Sequence, residues 1–229
     1  MKKIFIPILI VILLPLTFSC SSSRRAGYSL TDRDAAKAIR QMLELGVNQN
    51  NFSGAFSKDM IMATLFPEPL RRTLNTLNQL GLTNQIDRFT TTLSTAAERT
   101  ADASIPIFVS SINHLQISDA VRIIKTSGTP ATDYLRSSVG DSIRHSITPI
   151  MESALQEYKL TQQWDQIMKP AQAIVGNKLN LDLPTLMAGA VSEAMFRKIA
   201  EKEAQVRSDE TARTTPLLQK VFSRDWSNM

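Results

Sequence analysis

The spacing of apolar side chains constrains this chain more than any other feature. Beyond Leu30 they recur at intervals of three and four, and two-residue alternation is almost absent. That period lines one face of a helix, whereas a half-buried strand requires alternation. Thr31 followed by Asp34 resembles a capping box. Ala35, Ala36, Ile39, Met42 and Leu43 then form one stripe towards Gly46. Residues 48–58 read as a loop, and Met60 to Phe66 is too short for periodicity to decide. Pro67-Glu68-Pro69 opens a helix carrying Leu70, Leu74, Leu77 and Leu80, and Gly81 stops it.

Thr83 starts the next stripe, with Ile86, Phe89, Leu93, Ala96 and Ala97 on one face. Pro106 predicts a break or kink, with a further helix over 107–115. Ser118-Asp119 is expected to cap a short helix with Ala120, Val121, Ile123 and Ile124 inside. Thr129-Pro130 is expected to cap the following one, with Leu135, Val139, Ile143 and Ile147 leading up to Pro149. Helices over 150–158, 163–168, 186–206 and 215–222 complete the pattern. No long Gly/Pro/Ser linker divides them. The expected fold is all-α: one compact multi-helix domain over 31–222, with a tail at 223–229.

The N-terminus has a different character. Met1-Lys2-Lys3 is a basic start, Ile4 to Leu16 is almost wholly apolar, and Ser19-Cys20 follows. This is the layout of a secretory signal peptide, too short for a comfortable membrane span and interrupted by Pro7 and Pro15. Leu16-Thr17-Phe18-Ser19-Cys20 resembles a bacterial lipobox, although Thr17 stands where Leu is usual. The reading is a lipoprotein signal peptide over 1–19 and a lipidated tether over 20–30. Cys20 would carry the acyl chains, palmitate among them. Anchoring in the outer membrane, facing the periplasm, is the expected location.

Composition narrows the chemistry. The chain has 26 basic and 21 acidic side chains, a net +5 that drops to +3 without Lys2 and Lys3. That excess is too mild to suggest nucleic acid as a partner. A single Cys and two His leave little from which to build a metal site, and no metal or cofactor is expected. Gly-x-Ser-x-Gly, His-Glu-x-x-His, P-loop and Gly-x-Gly-x-x-Gly motifs do not occur. A serine triad would need His114 or His145 as its base.

Four stretches together resemble a bacterial family known only as domain of unknown function 4197. They are Leu93-Ser94-Thr95-Ala96-Ala97-Glu98, Ile117-Ser118-Asp119-Ala120, Ala131-Thr132-Asp133-Tyr134, and a C-terminal run. That run holds Phe196, Ile199-Ala200-Glu201-Lys202-Glu203, Val206-Arg207 and Leu217-Leu218-Gln219-Lys220-Val221-Phe222. The resemblance implies an exported, helical, often lipid-anchored protein with no assigned activity. Ser94 stands where the family tends to have Asn, and Ala194 where it tends to have Gly.

The polar positions within these stretches are Glu98, Asp119, Thr132, Asp133, Tyr134, Glu203 and Arg207. Asp119 and Asp133 are read as charges at helix N-termini, Glu203 and Arg207 as an ion pair four residues apart on one helix, and Tyr134 as a core-edge residue. A non-catalytic binding or interaction module of the cell envelope follows, with membrane contact through lipid on Cys20 and an envelope protein as partner. Two alternatives stand beside it. One is a carrier or sensor of an apolar ligand between helices. The other is an envelope hydrolase using Glu98, Asp119 or Asp133.

Overall fold

The computed structural model describes residues 29–49, 52, 54–65, 68, 71–72, 83–175, 182–224 and 226. The expected signal peptide, Cys20 and most of the expected helix at 67–81 lie outside them. Among the described residues the fold is all helical. The elements are α1 (Asp32–Asn48), α2 (Lys58–Leu65), α3 (Thr83–His114), α4 (Ala120–Lys125), α5 (Pro130–Glu157), α6 (Leu160–Val175), α7 (Leu183–Ser208), a 3₁₀ turn (Glu210–Ala212) and α8 (Pro216–Phe222).

The α1 stripe follows the spacing at Ala35, Ile39, Met42 and Leu43, but Ala38 is fully buried where Ala36 is expected, and Ala36 is only half-buried. Thr31 Oγ1 accepts the Asp34 N–H at 3.1 Å, and Ala35, Ala38, Ile39, Met42 and Leu43 are buried. The undecided segment around Met60 is helical as α2. Thr215 caps α8 by accepting the Leu218 N–H at 3.2 Å.

Two expected helix boundaries at proline are absent. α3 runs through Pro106 without a break, and Pro149 does not end α5. A proline four residues along frees the carbonyls of Asp102 and His145. Asp102, Pro106, His145 and Pro149 are all exposed, so water can take the lost bonds. Phe108 and Ile112, and Ile147 and Met151, stay buried beside the two prolines and hold each helix in place.

α7 is the centre of the domain. It packs most extensively on α5, then on α1, and also touches α2, α3 and α8. Its buried residues include Met187, Val191, Met195, Phe196, Ile199 and Val206, which no single stripe contains. Phe196 meets Phe108 of α3 edge-on at 5.2 Å, and Phe89 of α3 stacks on Trp164 of α6 at 5.6 Å. At Gly46, α1 approaches the backbone of α7 closely. A Cβ on Gly46 would lie 3.0 Å from Ile199 Cα and 3.1 Å from its Cγ2.

Gly46→Ala should therefore separate α1 from α7. Alanine favours the helix by about 1 kcal/mol, but overpacking against backbone costs about 1–3 kcal/mol. The expected net result is a lower thermal midpoint, read by circular dichroism. A midpoint at or above that of the parent would contradict this contact.

Candidate functional site

Polar residues of two family-like stretches, Thr132 in one and Glu203 with Arg207 in the other, converge where α7 crosses the turn between α4 and α5. Gly128, at φ +83°, lets that turn reverse the chain. The turn leaves two helix ends needing partners: the carbonyls closing α4 and the N–H groups opening α5. Local caps meet only part of this need: Thr126 donates its N–H and its hydroxyl to the Arg122 carbonyl of α4. Thr129 makes no side-chain cap bond to α5.

Glu203, fully buried on α7, takes that role. Its Oε1 accepts the Ala131 N–H at 3.1 Å, and its Oε2 accepts the Thr132 N–H and the Thr132 hydroxyl, both at 2.7 Å. A negative charge thus meets the positive end of α5 inside the core. Arg207, one turn further along α7, donates Nε to Glu203 Oε1 at 3.0 Å. Its Nη1 donates to the Ile124 and Thr126 carbonyls and its Nη2 to that of Ile123, each at 3.1 Å. The guanidinium so closes α4, and it lies 5.4 Å from the Phe222 ring centroid of α8. The ion pair is therefore a buried one, with side chains 15% and 0% exposed, that joins four helices.

The Asp119 expectation is corrected. It precedes α4 but adopts φ 54°, ψ 38° and makes no cap bond. N-cap residues use extended backbone; in the left-handed region its carboxylate instead faces Arg122 at 3.7 Å, in solvent. Asp133 is in the first turn of α5, as expected, and is exposed. Tyr134 is half-buried and donates its hydroxyl to the Gln116 carbonyl at 2.5 Å. The hydrogen bond with the Ser118 side chain draws its pKa below the ordinary phenol value.

Glu98 belongs to a different corner. Its Oε1 accepts the Gly54 N–H at 2.6 Å, and Ser94, one turn earlier on α3, donates to the Phe56 carbonyl. Together they hold the turn before α2. Glu98, Asp119 and Asp133 share no hydrogen-bond partner among the described residues, so they do not assemble as a carboxylate pair. His114 directs Nδ1 at the Ser110 carbonyl of its own helix, at 2.8 Å, and His145 is exposed. Among the described residues no group of three or more His, Cys, Asp or Glu could hold a metal ion.

Sequence reasoning missed Arg213 and Arg40. Arg213 donates to the Val206 carbonyl at 2.9 Å and that of Arg207 at 3.1 Å, closing α7. Arg40 donates to the Leu115 carbonyl at 2.8 Å, just after α3. Neither has a local sequence signal. Glu203 does have one: it occupies the apolar register of Ile199 and Val206, where a carboxylate must find buried partners.

These residues lie within a family-wide match. The family model described as "Protein of unknown function (DUF4197)" matches residues 29–223, and the chain belongs to that family. Comparison with curated proteins and with solved structures gives no match.

Glu203→Ala should strand Arg207 and uncap α5, costing roughly 3–5 kcal/mol as for other broken buried pairs. Asp133→Asn removes only an exposed first-turn charge, typically about 0.3–1 kcal/mol. Urea titrations of the two variants should rank them in that order. Equal midpoints would remove the structural role assigned to Glu203.

Proposed function

We propose that this protein is a lipid-anchored envelope protein whose helical domain is a non-catalytic binding or interaction module. The single observation supporting the non-catalytic reading is how the family-like polar residues are used. Glu203, Arg207 and Glu98 are spent on backbone groups at helix ends and turns, and the Thr132 hydroxyl is spent on Glu203. A general acid or base must instead reach a substrate in a cleft. No described helix is long and apolar enough to cross a membrane. We assign attachment to lipid on Cys20, because that residue follows the apolar run from Ile4 to Leu16 in a lipobox-like setting. Each buried acyl CH₂ contributes about 0.8 kcal/mol, so two or more chains anchor firmly. The outer membrane, with the domain facing the periplasm, is the proposed location.

The apolar-carrier alternative has one candidate site. A groove of about 600 Å³ between α3 and α6 presents mostly apolar surface, with Ile167 set among the polar side chains of Gln85, Asp87, Arg88, Thr91 and Gln163, which an apolar ligand would have to take out of water.

Mass spectrometry of protein purified from membranes should find a mature chain starting at acylated Cys20. Cys20→Ala should block that processing and change how the protein fractionates. An unmodified Cys20 in soluble mature protein would refute the anchor. Turnover of an envelope substrate by purified protein, with no partner recovered by cross-linking, would refute the non-catalytic reading.

A further inference from the structure

Two glycines in helix interiors are unexplained by packing. Gly140 lies within α5 and Gly189 within α7, where glycine is among the least favourable residues. Unlike Gly46, neither is forced by a close approach. A Cβ on Gly140 would meet Arg136 Cγ at 3.6 Å and the Phe196 ring at 3.8 Å; one on Gly189 would meet Arg144 Cδ at 3.6 Å. These are ordinary contacts, so alanine fits both sites. What the missing methyls leave is space. Both glycines line one groove of about 390 Å³ between α5 and α7.

A third observation points into the same groove. Ser192 lines it, is only 5% exposed, and makes no hydrogen bond to any described residue. Most other helix hydroxyls buried in this fold bond back to their own helix, as Thr100 and Ser104 do. An unpaired hydroxyl in a buried residue has hydrogen-bonding capacity that a ligand can use.

The groove's charges indicate what kind of ligand. Arg136 pairs with Glu193 across the helices at 3.1 Å, and Arg144 pairs with Asp141 at 2.8 Å. Two guanidinium groups and two carboxylates give no net charge, so a simple anion gains no overall attraction. They do set donors beside acceptors, and a vicinal diol can accept from the first and donate to the second. Val139 and the bare glycine backbones supply apolar surface for C–H groups. We infer that the α5–α7 groove is a binding site for a neutral, hydroxyl-rich ligand of the saccharide class. The inference stands on the helical domain alone and does not depend on the lipid anchor.

The test uses the ¹⁵N-labelled full chain in detergent micelles. The Gly140 and Gly189 amides are the reporters. Glucose, N-acetylglucosamine and chitobiose are the probes, with acetate and inorganic phosphate as anionic comparators. The expected result is a saturable shift of both glycine amides with at least one sugar and with neither anion. Gly140→Ala and Gly189→Ala should melt at or above the parent, and in each the amide of the remaining glycine should no longer shift. Ser192→Ala should weaken binding about tenfold, as for loss of one hydrogen bond. Three results would overturn the proposal: no sugar shifts the glycine amides; an anion does so instead; or the alanine variants bind unchanged. Alanine variants that melt below the parent would also overturn it, because the glycines would then be packing requirements.

Discussion

The buried pair of Glu203 and Arg207 is the interaction on which the other helix contacts depend. A turn as short as the one joining α4 to α5 leaves the last carbonyls of one helix and the first N–H groups of the next close together inside the protein. Each such group left unpaired costs about 1–3 kcal/mol. Glu203 receives the Ala131 and Thr132 N–H groups, and Arg207 donates to the Ile123, Ile124 and Thr126 carbonyls. The two ends present opposite partial charges, so one ion pair oriented along α7 satisfies both. Its desolvation is offset by the backbone groups it gathers as well as by its own attraction.

The same solution recurs elsewhere in the domain. Arg213 closes α7, Arg40 reaches the carbonyl after α3, and Glu98 with Ser94 secures the turn before α2. Arg40 and Glu98 reach these groups from distant parts of the chain, while Arg213 acts locally, just beyond α7. Some helix ends and turns are therefore completed only when distant helices dock. The α4–α5 turn reaches its native hydrogen bonding only once α7 is docked, which ties local structure to the global fold.

This explains which parts could be read from sequence. The fold class was legible because burial on a helix imposes a period, and Ala35, Ile39, Met42 and Leu43 carry it without ambiguity. One local cap was legible, at Thr31, whereas the cap that Thr215 makes was not singled out. Pro106 and Pro149 misled because their local penalty falls on the solvent side while packing holds the flanking turns. Asp119 misled because a capping residue type sits on left-handed backbone that cannot deliver it. Spacing showed Glu203 and Arg207 as a pair, but their other partners are 71 to 84 residues away. A period of 3.6 contains no information about contacts at that separation.

The three glycines separate packing from vacancy in a way that residue type alone does not. Gly46 lies where α1 and α7 touch backbone to backbone, so its missing Cβ is needed for the fold. Gly140 and Gly189 lie where the same central helix meets α5 with room to spare. If selection acted on stability alone, alanine would be favoured at both, since it gains helix propensity without a clash. Ser192, which lines the same groove and makes no hydrogen bond to a described residue, fits the same argument. The family-like charged residues that look functional serve the architecture. The least conspicuous residues, small and uncharged, leave open the surface where a ligand can approach.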